Sequence, residues 1–384
     1  MQKINIIQFL PYFPPHKGGL ETHAQERVNW RKDNWYWNVI NVVFDLWYFT
    51  QKSLDKNIIL LPALEIIPTF PFPKFWKKEF RKALKKIKSV ISSDIVYEKS
   101  KRITITRTRF FTSSLVWWIF AKRNKIKRAH IEHGVDYVKM NAKRKEIIAR
   151  IYDNTIWRRI FRNADQVIWI SKACAKFANK FTSKKIPVIY RWIDFNPKPR
   201  QKYNWKKVRI WFVGRLVNLK WVDLLIKTVW EIYKTNKDVE LSIVWDGEEK
   251  TRLERLTQDL KLQKIIKFLW YKNKEYIWSE FLPNIDIIVN PSYQEGLPTS
   301  VLEWLLAGCV VIATDVWGTR EISDKKDLIL VKSGDSWLLK DWLLKAIRGY
   351  KSIQWNSLNL IKERFRWEYT IKKYYLEFKR LWNE

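Results

Sequence analysis

The chain reads as an α/β protein built from two doubly wound halves. Three observations predict this. Short apolar runs alternate with amphipathic stretches along most of the length, the pattern of parallel βαβ units. The alternation breaks at residues 191–207, RWIDFNPKPRQKYNWKK, a polar stretch with two prolines, and then restarts. With 384 residues, the chain is longer than one typical core and suits two domains of roughly 150–200 residues. The expected division is 1–195 for an N-terminal Rossmann-like domain and 196–365 for a C-terminal one. Residues 366–384 are expected to form a helix that returns to the first domain.

In the first half, INIIQFL (4–10), NVINVVF (38–44), DIVYEKS (94–100) and RAHIEHG (128–134) are strand-like. LETHAQERVNWRKDN (20–34) is helix-like. KEIIARIYDNTIWRRIFRNA (145–164) has the pattern of one long amphipathic helix, and DQVIWISKACAKFANKF (165–181) reads as a strand running into a helix. In the second half the strands are VRIWFVGRL, VELSIVWDGEEK (with its loop), IIKFLWY, IDIIVNPS, CVVIATD and DLILVKSGD. The helices between them are VDLLIKTVWEIYKTN, KEYIWSEFLPN and TSVLEWLLAG, and FRWEYTIKKYYLEFKRLW closes the chain. Two α/β halves facing each other would hold a ligand near the carboxyl ends of their strands.

Composition narrows the function classes. Nearly half the residues are apolar, enough for two cores. The two cysteines, Cys174 and Cys309, lie far apart with no metal-ligand spacing, which points to a reducing compartment and away from structural zinc. The N-terminal apolar run is too short for a signal peptide, and no run reaches the roughly 18 apolar residues of a membrane span. The expected location is cytoplasmic, with peripheral attachment to the inner face of the membrane as an option. The formal charge of +34 fits nucleic-acid binding, an anionic membrane surface, or lysine-rich solvated faces. Residues 73–90, PKFWKKEFRKALKKIKSV, concentrate eight Lys/Arg against one Glu, with Phe80, Leu84, Ile87 and Ile91 at helical spacing. Such a face suits anionic lipid, or it is an ordinary solvated helix face.

Four segments carry a more specific signal. PPHKGGLETHAQERV, VGRLVNLKWVDLLI, IVWDGEEKTRLERL and NPSYQEGLPTSVLEWLLAGCVVIATDVWGTREI together resemble the retaining nucleotide-sugar glycosyltransferases of glycosyltransferase family 4, which have the GT-B fold. The resemblance implies transfer of a hexose-type sugar from a UDP- or GDP-linked donor to a sugar, lipid-linked or polysaccharide acceptor, as in cell-envelope polysaccharide synthesis. It implies neither a cofactor nor a metal, and no nucleic-acid partner.

The residue chemistry stands beside that likeness. Arg215 and Lys220 follow a strand, where cations and backbone N–H groups can meet the charge that builds on a leaving diphosphate. The resemblance assigns Glu295 to the transferred hexose and Glu303 to the nucleotide ribose. A carboxylate accepts hydrogen bonds from paired sugar hydroxyls, as either role requires. Gly214, Asp246, Gly247, Gly296, Leu297, Pro298 and Thr299 match the family's donor loops, and Gly18 and Gly19 its glycine turn after the first strand. His133, in EHG, resembles the active-site histidine. The catalytic set is then His133, Arg215, Lys220 and Glu295. No protein nucleophile stands out, so catalysis would be positioning plus electrostatic stabilisation of the leaving group. The competing classes are a basic nucleic-acid-binding protein, for which no binding module is visible, and an inactive sugar-nucleotide-binding relative.

Composition holds one anomaly. The chain has 24 Trp and 10 Gly, whereas ordinary usage of about 7% would give roughly 27 glycines. Trp169, Trp192, Trp221, Trp245 and Trp317 stand where the family-like text calls for glycine. The reading is that the gene uses UGA for glycine and that some of these tryptophans are recoded glycines. Trp304 also occupies a position that calls for a small residue, whereas Trp367 stands where the family often has a true Trp.

Overall fold

The computed structural model describes residues 4–12, 37–46, 57–67, 70–92, 102–107, 109, 112–137, 143–182, 186–193, 207–244, 246–270, 272, 274–323, 328–349 and 357–383, and the observations below concern these residues. They divide into two compact units. The first comprises Met1–Ile170, Cys174–Ile189 and Ile371–Glu384, and the second Ser171–Ala173 and Tyr190–Thr370.

In the first unit β1 (Ile4–Leu10), β2 (Trp37–Asp45), β3 (Ile58–Ile67), β4 (Phe70–Pro73), β5 (Arg102–Thr106), β6 (Lys127–Glu132) and β7 (Gln166–Trp169) form one sheet. Its order is β4-β3-β2-β1-β5-β6-β7. Pairing is parallel from β3 through β7, and β4 is antiparallel to β3. Every residue of β1 is buried, as a central strand covered on both faces requires. The helices among the described residues are α1 (Lys78–Ser92), α2 (Thr112–Arg123), α3 (Lys143–Tyr152), α4 (Arg158–Arg162) and α5 (Lys172–Ala178). Phe80 and Ile87 of α1 are buried, while its lysines are exposed.

The second unit is a wholly parallel sheet of β8 (Val208–Val213), β9 (Val239–Val244), β10 (Ile266–Leu269), β11 (Ile287–Asn290), β12 (Val310–Thr314) and β13 (Leu328–Val331). Its order is β10-β9-β8-β11-β12-β13. Around it lie α6 (Val222–Thr235), α7 (Lys250–Asp259), α8 (Thr299–Leu306), α9 (Ser336–Gly349) and α10 (Ser357–Arg364). Ile210, Phe212, Leu225, Ile226, Leu241, Ile287 and Val310 are central to its core. The last helix, α11 (Trp367–Asn383), begins in the second unit, and its residues from Ile371 onward belong to the first.

Both sheets are the doubly wound parallel type expected. Some elements differ. Residues 145–164 do not form one uninterrupted α-helix: a π-turn at Asp153–Trp157 separates α3 from α4. KEYIWSEFLPN is also irregular, with a helical turn at Lys274–Tyr276, a π-turn at Ile277–Phe281 and a 3-10 turn at Leu282–Asn284 around Pro283. Strands β3, β4 and β5 and helices α2, α7, α9 and α10 are not among the elements expected, although β5 alternates Ile103 and Ile105 with threonines. DIVYEKS, LETHAQERVNWRKDN, Gly18, Gly19 and Trp245 lie outside the described residues.

Candidate functional site

In the second unit, strand order reverses between β8 and β11. β9 and β10 extend to one side of β8, and β11, β12 and β13 to the other. Loops leaving the carboxyl ends of β8 and β11 therefore diverge, and an open α/β sheet takes its ligand at such a point. The loops after β8, β9 and β11 hold most of the expected donor residues, and the loop after β12 packs against the last of them.

After β8 come Gly214, the exposed Arg215 and, at the end of a 3-10 turn Asn218–Lys220, Lys220. Asp246 and Gly247 follow β9, and Leu216 and Asp246 bond backbone to backbone at 3.1 Å. Contact here is so close that a Cβ on Gly247 would lie 2.3 Å from the Leu216 carbonyl oxygen, which explains the glycine. After β11, Glu295, Gly296, Leu297 and Pro298 lead into α8, which begins at Thr299. Pro298 supplies no side-chain cap, so the first N–H groups of α8 face outward from the helix without one. Gly318, after β12, donates its N–H to the Glu295 carbonyl at 3.2 Å, and a Cβ there would lie 1.7 Å from the Gly296 oxygen.

Two of the expected residues meet directly. Lys220 Nζ donates to Glu295 Oε1 as a half-buried ion pair. The Tyr293 N–H to Leu219 carbonyl bond, 2.8 Å, ties their two loops together. Asn290 Nδ2 approaches the same carboxylate oxygen at 3.4 Å, and its own amide oxygen accepts from Ser292 Oγ at 2.8 Å. Thr314 Oγ1 donates to the Ser292 carbonyl. Glu303 lies on α8, where its Oε2 accepts from Trp278 Nε1 at 3.1 Å. Asn290, Ser292, Thr314 and Trp278 are participants that sequence reasoning missed. The NPS run after a strand was the available signal for the first two. Trp278 reaches Glu303 from KEYIWSEFLPN, expected as a helix and found as a chain of irregular turns.

In the first unit, His133 follows β6 and is half-buried. The carboxylate before it holds the turn. Glu132 Oε1 accepts the N–H of His133 at 2.9 Å and of Gly134 at 2.6 Å, while Oε2 meets His130 Nε2 at 3.2 Å. Arg109 lies next to this turn and pairs with Asp153 at 3.3 Å. Burial would push the Glu132 carboxyl up. The His130 hydrogen bond, the Arg109 and His130 charges and the Gly134 N–H outweigh burial and hold it below the ordinary carboxylate range. Asp153 goes the other way. Burial lifts it to about 6, with Arg109 opposing and the Glu132 charge adding to the rise.

Among the described residues, no group of three or more His, Cys, Asp or Glu is placed to hold a metal ion. No helix is long and apolar enough to cross a membrane.

Two Rossmann-like units of this kind are the architecture of the GT-B fold. Comparison with known proteins gives the family. Residues 195–354 match the glycosyl transferases group 1 family. An uncharacterised glycosyltransferase of Methanocaldococcus jannaschii (MJ1069) is 32% identical over the full length of both chains. The O-antigen biosynthesis glycosyltransferase WbnH of Escherichia coli is 25% identical across 83% of this chain and 84% of its own. Among solved structures, sucrose-phosphate synthase from Thermosynechococcus elongatus superposes with a TM-score of 0.73 at 17% identity, covering 99% of this chain and 100% of that one. Anabaena HepE in complex with UDP gives 0.70 at 16% identity, covering 99% and 100%. The chain belongs to the glycosyltransferases, with the group 1 domain in its second unit.

Proposed function

We propose that the protein transfers a hexose-type sugar from a UDP- or GDP-linked donor to a sugar, lipid-linked or polysaccharide acceptor with retention of anomeric configuration, as a member of glycosyltransferase family 4. The observation that carries this is the Lys220–Glu295 pair at the point where strand order reverses. It sets a cation and a sugar-binding carboxylate side by side, the two chemistries a nucleotide-sugar needs at its reacting end. Arg215, Lys220 and the uncapped N–H groups of α8 meet the diphosphate, whose charge grows as the glycosidic bond breaks. Glu295 takes hydroxyls of the transferred sugar, and Glu303 takes the ribose, exchanging its Trp278 partner for ribose hydroxyls. Gly214, Asp246, Gly247, Gly296, Leu297, Pro298 and Thr299 shape the loops around them. His133, its backbone pinned by Glu132, serves near the reacting sugar. The protein supplies charge and position, and neither a metal nor a cofactor is assigned a step.

The complex of HepE with UDP and the O-antigen role of WbnH support a uridine donor and a cell-envelope product. Such a product fits a cytoplasmic enzyme, with peripheral attachment to the inner face of the membrane as an option. The test is a panel of UDP-, GDP- and ADP-sugars assayed for hydrolysis and for thermal stabilisation of the purified chain. Stabilisation and turnover with a UDP- or GDP-sugar are expected. Absence of both across the panel would overturn the donor assignment.

A further inference from the structure

Four non-glycine residues among those described have a positive φ: Lys125 at 52°, Lys261 at 57°, Trp221 at 43° and Trp317 at 39°. The two lysines follow the ends of α2 and α7, where a left-handed residue is ordinary. Trp221 also follows a helical end, the 3-10 turn Asn218–Lys220, but the residue that takes this conformation there is usually glycine, and Trp317 follows no helix. An L side chain in this region crowds its own backbone, and for a bulky residue it is an outlier.

Each tryptophan also stands in a particular structural slot. Trp221 is the N-cap of α6, with no side-chain cap bond. Glycine is accepted at N-caps and tryptophan is not among the favoured types. Trp317 is the second residue of a turn closed by the Thr319 N–H to Val316 carbonyl bond at 2.8 Å. A positive φ at that position belongs to the mirror-image turns, which glycine dominates. Both loops are closely packed, Trp221 through its ring and the residue after Trp317 through its backbone. The Trp221 ring lies so close to Gly334 that a Cβ on that glycine would be 2.9 Å from it, and its centroid is 5.2 Å from the Tyr293 ring, on the Glu295 loop. Trp317 directly precedes Gly318, where a Cβ would lie 1.7 Å from the Gly296 oxygen.

Other tryptophans fit poorly in a different way. The indole N–H groups of Trp117, Trp118, Trp169 and Trp211 are buried and find no acceptor among the described residues. A buried indole N–H ordinarily has one. This is a second, independent sign beside the count of 24 Trp against 10 Gly.

We infer that positions 221 and 317 are glycine in the protein the cell makes, its gene spelling them UGA and reading UGA as glycine. Glycine relieves both left-handed backbones and removes two indoles from the loops around Lys220 and Glu295. The consequence for the donor rests on the function proposed above, but the backbone argument does not.

The test therefore has separate arms. Reading the gene should find UGA at both positions, and UGG at both would overturn the inference. Peptides of the chain isolated from its source organism should carry the mass of glycine at 221 and 317, and tryptophan masses there would overturn it equally. In the full chain, Trp221→Gly and Trp317→Gly should each raise the Tm by about 2–8 °C. Trp342→Gly is the control, because Trp342 lies within α9 against the core. Glycine there loses helix propensity and packing, so its Tm should fall. If the two loop variants lower the Tm as the control does, glycine is not what these backbones require. Stabilisation by UDP- and GDP-sugars is then measured on the double variant. Raised Tm with no donor effect would keep the glycine assignment and sink the donor reading instead.

Discussion

Glu303 and Arg215 test the donor assignment at the scale of single residues. Arg215 is exposed, and Glu303 is only half-buried. Truncating either leaves the core intact. Glu303→Ala and Arg215→Ala should each cost about 2–4 kcal/mol of transition-state stabilisation, roughly 10²–10³ in transfer rate. Unfolding temperatures should stay near that of the parent chain. Near-parent turnover in either variant would remove that residue from the site. Lys220, Glu295 and Glu303 were singled out by the family resemblance of their segments, and the structure brings Lys220 and Glu295 into contact. Their partners were not legible. Asn290 reads as the end of a strand, and only the fold shows its amide turned toward Glu295. Trp278 is 25 residues from Glu303, and its helix-like text does not show the π-turn it occupies, so nothing local marks the contact. Hydrogen bonds between distant loops are a product of topology, which a linear pattern does not encode.

Individual elements repeat this lesson. The central strands β1, β2, β8 and β12 were plain in the text because buried parallel strands are continuous apolar runs. The π-turn inside residues 145–164 was not, since its sequence keeps the amphipathic look of the helices on either side. π-turns of this kind often occur at functional sites. Here it carries Asp153, which pairs with Arg109 beside the His133 turn. The pair makes a prediction with a definite sign. Asp153 rises from 3.8 to about 6 on folding, so the folded state holds this proton more tightly than the unfolded one. Its contribution to stability is complete below about pH 4 and is lost as the pH rises through about 6. Asp153→Asn carries no such titration. Between about pH 5 and about pH 8, the Tm difference between the two chains should move in favour of the Asn variant. A difference that stays constant across that range would show that Asp153 is ionised throughout and that its ion pair with Arg109 outweighs burial.

For the whole molecule, the charge of +34 is the property the site does not use. The structure narrows one of its readings. Phe80 and Ile87 of α1 face inward and are buried, so the apolar side of this helix is spent on its own core and is not available to enter a bilayer. What remains outside is Lys78, Arg81, Lys82, Lys85, Lys86 and Lys88, with Phe75 and Trp76 exposed just before the helix. Any attachment through this face is electrostatic first, at about 1 kcal/mol per basic residue near an anionic surface, and decays within a Debye length. Binding to vesicles containing anionic lipid should therefore exceed binding to neutral vesicles and weaken steeply with added salt. Location can be separated from net charge by comparing two triple variants. Replacing Lys78, Lys82 and Lys85 by Gln removes the same charge as replacing Lys237, Lys264 and Lys267, three exposed lysines of the second unit. A surface built by α1 predicts a large loss in the first and a small one in the second. Equal losses would make the attraction a property of the total charge, and duplex DNA should then compete for the protein as well as the vesicles do.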